Sequence, residues 1–313
     1  MDFFTSATNV FLLVVMALPG YGLKKAGKLP KEFAGGLTSV ILYVSLPCLT
    51  ILSFIQKAYE PRLLGNMGAV AAFSVMLPLL AYAISNLCFS FAGKNSANKA
   101  CLASGYMNNC AFMGIPVLQA LFPGESEPIM YAAIFTVPFN IFTWTLLVYS
   151  LTGDRRHMSL RNALINPQTL VLAAALPVFF SGLPIPAPIV SILRYLGEMT
   201  TPLSMVLLGV KLAEAPVKTL FSAPLVYMSA AVKLILVPLA SLGALLLARL
   251  AVPLSDMAAA SLFLIMAMPS AASVVMFAER FGADSVTGSK CVLVSSALCV
   301  ITIPALALLT RYL

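Results

Sequence analysis

The stretch that decides the fold runs from residue 105 to residue 116 and reads Gly-Tyr-Met-Asn-Asn-Cys-Ala-Phe-Met-Gly-Ile-Pro. Two adjacent amides, Asn108 and Asn109, are followed by Gly114 and Pro116 in an otherwise apolar segment. Proline removes a backbone donor and its ring clashes with the preceding turn, so we expect the helix to break near Gly114. In a bilayer such a break is tolerated only where protein or a cavity covers it.

A second interruption lies at residues 268–273, which read Met-Pro-Ser-Ala-Ala-Ser. Each break creates a helix N-terminus with unpaired N–H groups and partial positive charge, and Pro116 and Pro269 suit the first turn of such a half-helix. Two positive ends facing one cavity would attract a carboxylate. The side chains that would complete the hydrogen bonding are Asn108, Asn109, Ser270 and Ser273. The alternative is that the prolines only kink these helices and the amides bond across helices.

Composition identifies lipid as the natural solvent of this chain. Of 313 residues, 60% are hydrophobic and 10% are charged, against about 25% charged in soluble domains. This length suits about ten membrane spans of roughly 20 residues joined by short loops. The predicted spans, numbered one to ten, are 4–23, 36–55, 65–92, 100–122, 129–151, 167–183, 188–212, 220–248, 256–278 and 290–311.

Basic residues are distributed unequally between the two sets of loops. The loops after the odd-numbered spans hold 13 of the 19 Lys and Arg residues, including Lys94 and Lys218, and the other side holds five. Cytoplasmic loops carry the excess of Lys and Arg. The bias therefore predicts a multi-pass protein of the cytoplasmic (inner) membrane with both termini on the extracytoplasmic side.

Prolines recur in the same order in the two halves of the chain. The pairs, which fall in corresponding spans, are Pro47 with Pro202, Pro78 with Pro238, Pro116 with Pro269, and Pro138 with Pro304. Transporters often show such weak internal symmetry, although proline is also common in membrane helices. Five spans per half is an odd number, so a duplication would give two inverted repeats, at residues 1–153 and 154–313. The predicted fold class is an all-α membrane protein with broken helices in spans four and nine.

Lys233 lies near the middle of span eight, where a charge is expensive and by default functional or paired. It could balance the charge of a bound anion; the alternative is that it snorkels to the interface. Spans three and four contain no Asp or Glu, which disfavours a cation site there. Glu198 lies four residues after Arg194, a spacing that favours a helical ion pair.

Enzyme and cofactor signatures are missing from the sequence. It contains no HExxH, GxSxG or Walker loop, and its single histidine, His157, lies in a charged loop. All six cysteines lie in apolar segments without a CxxC spacing, which is typical of buried hydrophobic cysteines rather than of metal sites. The charges form no basic stripe, so nucleic acid is not an expected partner. We expect no enzyme activity, cofactor or metal.

At the two breaks the chain resembles the auxin efflux carrier family, which includes plant PIN-type carriers and bacterial malate or malonate carriers. The pattern N-x-x-x-M-G-I-P at Asn109–Pro116 looks like the family's crossover motif, and Pro269–Ala278 looks like its counterpart in span nine. Asn166–Thr169 resembles the motif that opens the second half, and Leu46-Pro47 and Ile303-Pro304 also fit.

This resemblance implies a scaffold of spans one, two, six and seven and a transport domain of spans three to five and eight to ten. The transport domain would move as an elevator, with crossed broken helices at its centre, and the scaffold would form a homodimer. By position, Asn109 matches the family's substrate-contacting asparagine, and Thr50 matches a polar position that faces the site from the scaffold.

Two departures from the family pattern limit what is carried over. Many bacterial members have an asparagine where Ser273 stands, and plant members have an acidic and basic pair in span three that is absent here. Auxin specificity therefore does not transfer, and coupling to a proton, to sodium or to neither stays open.

The leading hypothesis is a secondary transporter for a small mono- or dicarboxylate in the lipid bilayer. One alternative is a carrier of a cation or neutral solute on the same fold, and another is a membrane sensor that does not transport. The predicted substrate-binding residues are Thr50, Asn108, Asn109, Gly114, Pro116, Lys233, Pro269, Ser270 and Ser273.

The charge bias makes a testable prediction about orientation. Cysteines placed at Lys28 or Arg155 should resist a membrane-impermeant maleimide in whole cells and react after lysis. A cysteine placed at Arg62, on the other side, serves as the matched control and should react in whole cells. Labelling of positions 28 and 155 from outside would reverse the assigned orientation.

Overall fold

The computed structural model describes residues 3–93, 95–214 and 224–313. Throughout these ranges the chain is helical apart from turns, loops and one isolated β-bridge between Asn108 and Ser270, which confirms the predicted all-α class. Lys94 and Lys218, which were counted in the charge bias, lie outside the described residues. We number the helices as α1 Phe3–Lys25, α2 Phe33–Ile55, α3 Pro61–Ala92, α4 Ser96–Tyr106, α5 Cys110–Leu121, α6 Glu127–Thr152, α7 Leu160–Leu164, α8 Pro167–Ser181, α9 Ala187–Glu198, α10 Thr200–Ala213, α11 Pro224–Ala248, α12 Asp256–Met266, α13 Ser273–Arg280 and α14 Ser285–Tyr312.

Within the described ranges, six helices are long and apolar enough to cross a membrane, namely α1, α2, α3, α6, α11 and α14. A bilayer core of about 30 Å needs about 20 helical residues, and α3 has 32. Large apolar side chains on the outside of these helices are exposed, among them Phe11, Leu247 and Ile301. Such surfaces are unusual in soluble proteins and suit lipid. The prediction of a multi-pass membrane protein is confirmed.

Polar side chains cap several helices where they emerge from loops. The Asn95 side chain accepts from Asn98 N at 2.8 Å to start α4, and the Ser255 hydroxyl accepts from Ala258 N at 3.2 Å to start α12. Asn166 and Asp284 cap α8 and α14 in the same way. Each cap satisfies one of the N–H groups that a helix start leaves unpaired. No side chain caps α5 or α13, the helices that follow the two interruptions.

Three prolines are accommodated by wide π-helical turns instead of by breaks. Leu46 N donates to Ile41 O, Ile115 N to Cys110 O, and Val237 N to Val232 O, each five residues back. Pro47, Pro116 and Pro238 follow those donors directly. Because proline cannot donate to residue i−4, the wide turn lets the helix continue. The expected break near Gly114 is therefore wrong in position, since the chain is helical there.

The ion pair expected between Arg194 and Glu198 is also wrong. Both side chains are exposed and no ion pair joins them in the structure. Glu198 is the last residue of α9, so it carries no evident role in the interior.

The helices pack in two groups. α1 packs along α10, and α2 packs against α8 and α9. Lys24 at the end of α1 pairs with Glu214 just after α10 at 2.8 Å, so these two helices run side by side in the same direction. The second group places α3 against α4, α6, α11 and α12, while α14 packs on α4, α11 and α13 and also touches α1.

Two glycines set the closest approach in the first group. A Cβ atom on Gly20 would collide with the carbonyl of Val206, and one on Gly209 would collide with the carbonyl of Ala17. Because lipid offers little hydrophobic driving force between helices, small residues that let backbones touch stabilise such contacts.

We predict that Gly209→Ala lowers the melting temperature in detergent, because overpacking typically costs about 1–3 kcal/mol. Gly22→Ala is the matched control, since Gly22 is also in a helix and no atom lies within 4 Å of its added Cβ. Both variants gain the same helix propensity. Equal melting temperatures for the two variants would contradict the close contact.

Candidate functional site

The two interruptions meet in the interior, where the chain is extended between α4 and α5 and between α12 and α13. Asn109 N donates to Pro269 O at 2.9 Å, and Ala271 N donates to Met107 O at 3.1 Å. These two bonds frame the isolated bridge of Asn108 with Ser270. Each break thus supplies partners for backbone groups that the other leaves unpaired, as burial away from water requires.

The position of Pro269 differs from the prediction. It lies in the extended segment, four residues before α13 begins at Ser273, rather than in the first turn of that helix. The physical reason is that a proline disfavours helix in the residue before it, so Pro269 acts on the end of α12. Pro116 does lie at the second position of a regular helical segment, Ile115–Leu121, but that segment continues from the wide turn at Cys110–Gly114.

The C-terminal ends of α4 and α12 have side-chain partners. The Ser270 hydroxyl donates to Ser104 O at 2.7 Å, and Ser270 N donates to the Ser295 hydroxyl at 3.1 Å. At the end of α12, Lys233 Nζ donates to Met266 O at 3.0 Å. Carbonyls at a helix end carry partial negative charge, so a cation is the stronger partner of the two.

Lys233 is fully buried, which excludes snorkelling in this conformation. Besides the Met266 carbonyl, its ammonium donates to Asn108 Oδ1. Among the described residues no carboxylate forms an ion pair with it. Lys233 is therefore paired with oxygens of the two breaks, and its direct contact with a substrate stays a prediction.

The ammonium also fixes the orientation of Asn108. Because an ammonium can only donate, the Asn108 oxygen must face it, and the amide nitrogen then donates to Met266 Sδ at 3.1 Å. Asn108 is 1% exposed. Both the oxygen and the nitrogen of its amide bond to protein groups, so in this conformation the side chain holds the two breaks together.

The helix starts that follow the two breaks have no comparable side-chain partners. α5 and α13 start without side-chain caps. The half-buried Asn109 side chain makes no hydrogen bond to the described residues, and the Ser273 hydroxyl is buried without a partner. A helix start that no side chain caps, with unpaired polar side-chain groups nearby, is chemically suited to an anion.

Gly114 and Thr50 have less direct support from the structure. Gly114 N donates to Asn109 O at 3.0 Å, but a Cβ there would sit 3.5 Å from Met268 Cγ, an ordinary contact, so space alone does not require glycine. Thr50 is buried in α2, which packs on α6, α8 and α9. Its contact with the breaks stays a prediction.

Several polar contacts around the breaks were not predicted. Ser104 and Ser295 support Ser270 as described, and two bonds join α5 to the first group of helices. Asn9 Nδ2 donates to Ala120 O at 2.8 Å, and Thr201 Oγ1 donates to Gln119 Oε1 at 2.5 Å. Nothing in the sequence pattern marks these residues, since polar residues also occur elsewhere in the apolar spans without such contacts.

A small cavity lies where α5 meets α1, α10 and α14. Its volume is about 30 Å³, and its lining is mostly apolar, including Met113, Val117, Val10 and Met205, with Ser296 at one side. This space is about that of one water molecule and is too small for a carboxylate substrate.

Comparison with known proteins gives two findings. The sequence profile of a family described as "Membrane transport protein" matches twice, at residues 5–157 and 154–307. A protein of Rhizobium meliloti (strain 1021) named "Putative malonate transporter" is 25% identical over 316 residues, covering 95% of each chain. Because the two profile matches follow one another along the chain, they show that it contains two repeats of one unit.

The hydrogen bonds at the breaks predict different effects for two serines. Ser270→Ala should lower the melting temperature, because the buried Ser104 carbonyl loses its hydrogen-bond partner. An unsatisfied buried polar group typically costs about 1–3 kcal/mol of stability. Ser273→Ala is the matched control and should leave stability nearly unchanged, since its hydroxyl has no partner. The reverse order of melting temperatures would contradict the hydrogen bonds described above.

Proposed function

This chain belongs to the membrane transport protein family, the auxin efflux carrier family, and we propose that it moves a small mono- or dicarboxylate across the cytoplasmic membrane. The observation that carries the proposal is the pair of uncapped helix starts, α5 and α13, beside the unpaired Asn109 and Ser273 side chains. The chain is a membrane transporter by its family; the substrate class is our inference.

The electrostatics of the breaks favour an anion over a cation. The helix ends with partial negative charge are already occupied, one by the Ser270 hydroxyl and one by Lys233. The ends with partial positive charge are the ones without side-chain partners. A carboxylate could accept from these N–H groups and from Asn109 and Ser273, forming charge-assisted hydrogen bonds.

Malonate is the first substrate to test. The name of the Rhizobium relative specifies malonate transport, and that protein matches this chain over nearly its whole length at 25% identity. A short dicarboxylate would suit two helix ends that each attract one negative group. Identity at this level leaves room for a different small carboxylate, so related mono- and dicarboxylates belong in the same test.

For the architecture, we propose ten spans in two inverted repeats. Six of the spans are the long helices. The other four spans are α4 with α5, α8 alone, α9 with α10, and α12 with α13. The two breaks would then cross at the midplane, as is common in transporters with inverted repeats. The hydrogen bonds between the breaks support this proposal.

The packing groups support an elevator mechanism. α1, α2, α8, α9 and α10 would be the scaffold, and we propose that it forms a homodimer. The other helices would carry the site across the membrane. The two bonds from Asn9 and Thr201 to α5 join the proposed domains and would have to break during that movement.

A carrier of a cation on the same fold is less well supported. No group of three or more His, Cys, Asp or Glu that could hold a metal ion occurs among the described residues. The buried charge that the breaks do contain is the ammonium of Lys233, which would repel a cation.

The proposal predicts that malonate or a related carboxylate raises the melting temperature of the purified protein, because a ligand that binds only the folded state stabilises it. Asn109→Ala and Ser273→Ala should each weaken that binding by roughly 10- to 150-fold, corresponding to about 1.5–3 kcal/mol for a hydrogen bond to a charged group. Uptake into proteoliposomes should fall in parallel.

Asn162→Ala is the control for loss of an amide, because Asn162 is exposed in α7. It should bind and transport like the wild type. If no carboxylate stabilises the wild type, or if both site variants bind normally, the proposed substrate class or the proposed site is wrong.

A further inference from the structure

The buried ammonium of Lys233 has the surroundings of a bound monovalent cation. Its two partners are an amide oxygen, Asn108 Oδ1, and a main-chain carbonyl oxygen, Met266 O, at 3.0 Å. Main-chain carbonyl and side-chain amide oxygens are among the oxygen ligands that hard cations take in proteins. The lysine side chain is 0% exposed, so the charge is held inside the protein.

The charge is balanced by dipoles rather than by an acid. Lys233 has no ion-pair partner among the residues the structure describes. Met266 is the last residue of α12, where unpaired carbonyls give the helix end its partial negative charge. The cation and the helix end therefore stabilise each other.

The ammonium also links the two breaks. Asn108 lies in the first interruption and Met266 ends the helix before the second, and Lys233 from α11 contacts both. The wide turn Val232–Leu236 that precedes Pro238 contains Lys233, so its position on α11 is set by that turn. Such π-turns often occur at functional positions.

Only one of the two repeats carries this charge. Aligning the halves on Pro78 and Pro238 places Phe73 in the first half where Lys233 stands in the second. At the first break the corresponding partner of the helix end is the neutral hydroxyl of Ser270, on Ser104 O. The single ammonium of Lys233 therefore contacts both interrupted segments, and the first repeat contributes no matching charge.

We propose that Lys233 is a tethered cation that positions the two breaks, in the place that a free monovalent ion would otherwise take. It is a positioning residue, acting through Asn108 and the end of α12 rather than by touching the substrate. Resting on the proposed function, this implies that carboxylate binding requires neither sodium nor potassium.

The first experiment measures malonate binding to the wild type in sodium, potassium and choline chloride at equal ionic strength. We expect the same affinity and the same melting temperature in all three salts. A requirement for sodium or potassium would overturn the proposal. The melting temperature without ligand reports on the tethered cation even if malonate proves not to be the substrate.

The second experiment removes the charge. Lys233→Met keeps much of the side-chain volume without the ammonium, and it should lower the melting temperature and weaken carboxylate binding at least tenfold. Lys290→Met is the matched control, since Lys290 is half-buried in α14 and lies outside the proposed site. Unchanged stability and binding in Lys233→Met would overturn the proposal.

The third experiment separates a positioning charge from simple loss of packing. Lys233→Ala leaves space for a small amine, so ethylammonium or propylammonium should raise its melting temperature by several degrees more than equal concentrations of propanol do. Lys233→Met, in which the space is filled, should not respond. Failure of every alkylammonium ion to stabilise Lys233→Ala beyond propanol would show that the charge itself is not what the breaks need. This measurement needs no substrate, so its failure is distinct from a failure of the carboxylate proposal.

Discussion

Everything at the centre of this protein depends on one constraint, that backbone N–H and C=O groups freed by a broken helix must find partners away from water. Two breaks in one interior satisfy each other. Asn109 N donates to Pro269 O and Ala271 N to Met107 O, at 2.9 and 3.1 Å. A single broken helix would leave these groups unpaired at several kcal/mol each. The repeat in the sequence therefore has a physical reason, because each half needs the other half's break.

The helix ends that precede the breaks differ in their partners from the helix starts that follow them. Carbonyls at the ends of α4 and α12 are satisfied by side chains, whereas the starts of α5 and α13 have no side-chain caps. Among the helix starts at the loops, those of α4 and α12 are capped by Asn95 and Ser255, whereas those of α2, α3, α6 and α9 have no side-chain cap. A cap at the breaks would compete with an anionic ligand for the same N–H groups. On the proposed function, uncapped starts at the breaks would remain available to the substrate.

The same arrangement explains how Lys233 persists fully buried in an apolar span although it forms no ion pair with the described residues. Its charge meets the negative end of α12 and an amide whose oxygen is forced to face it. An acid there would pair more strongly but would cancel the positive field that, on the proposed function, attracts a carboxylate to the neighbouring helix starts. A cation placed on the carbonyl side leaves that field intact.

The sequence by itself determined the helical class, the membrane location and the presence of two interrupted segments, because apolar runs, paired amides and prolines act locally on the chain. Local rules misplaced the details. They predicted the first break near Gly114 and placed Pro269 inside a helix. In the structure a wide turn accommodates Pro116 without a break, and Pro269 lies in an extended segment that pairs with the other break. Only the tertiary structure decided which groups meet. Lys233 reaches Asn108 across 125 residues and Ser270 reaches Ser104 across 166, and such distant pairings leave no periodic trace in a single sequence.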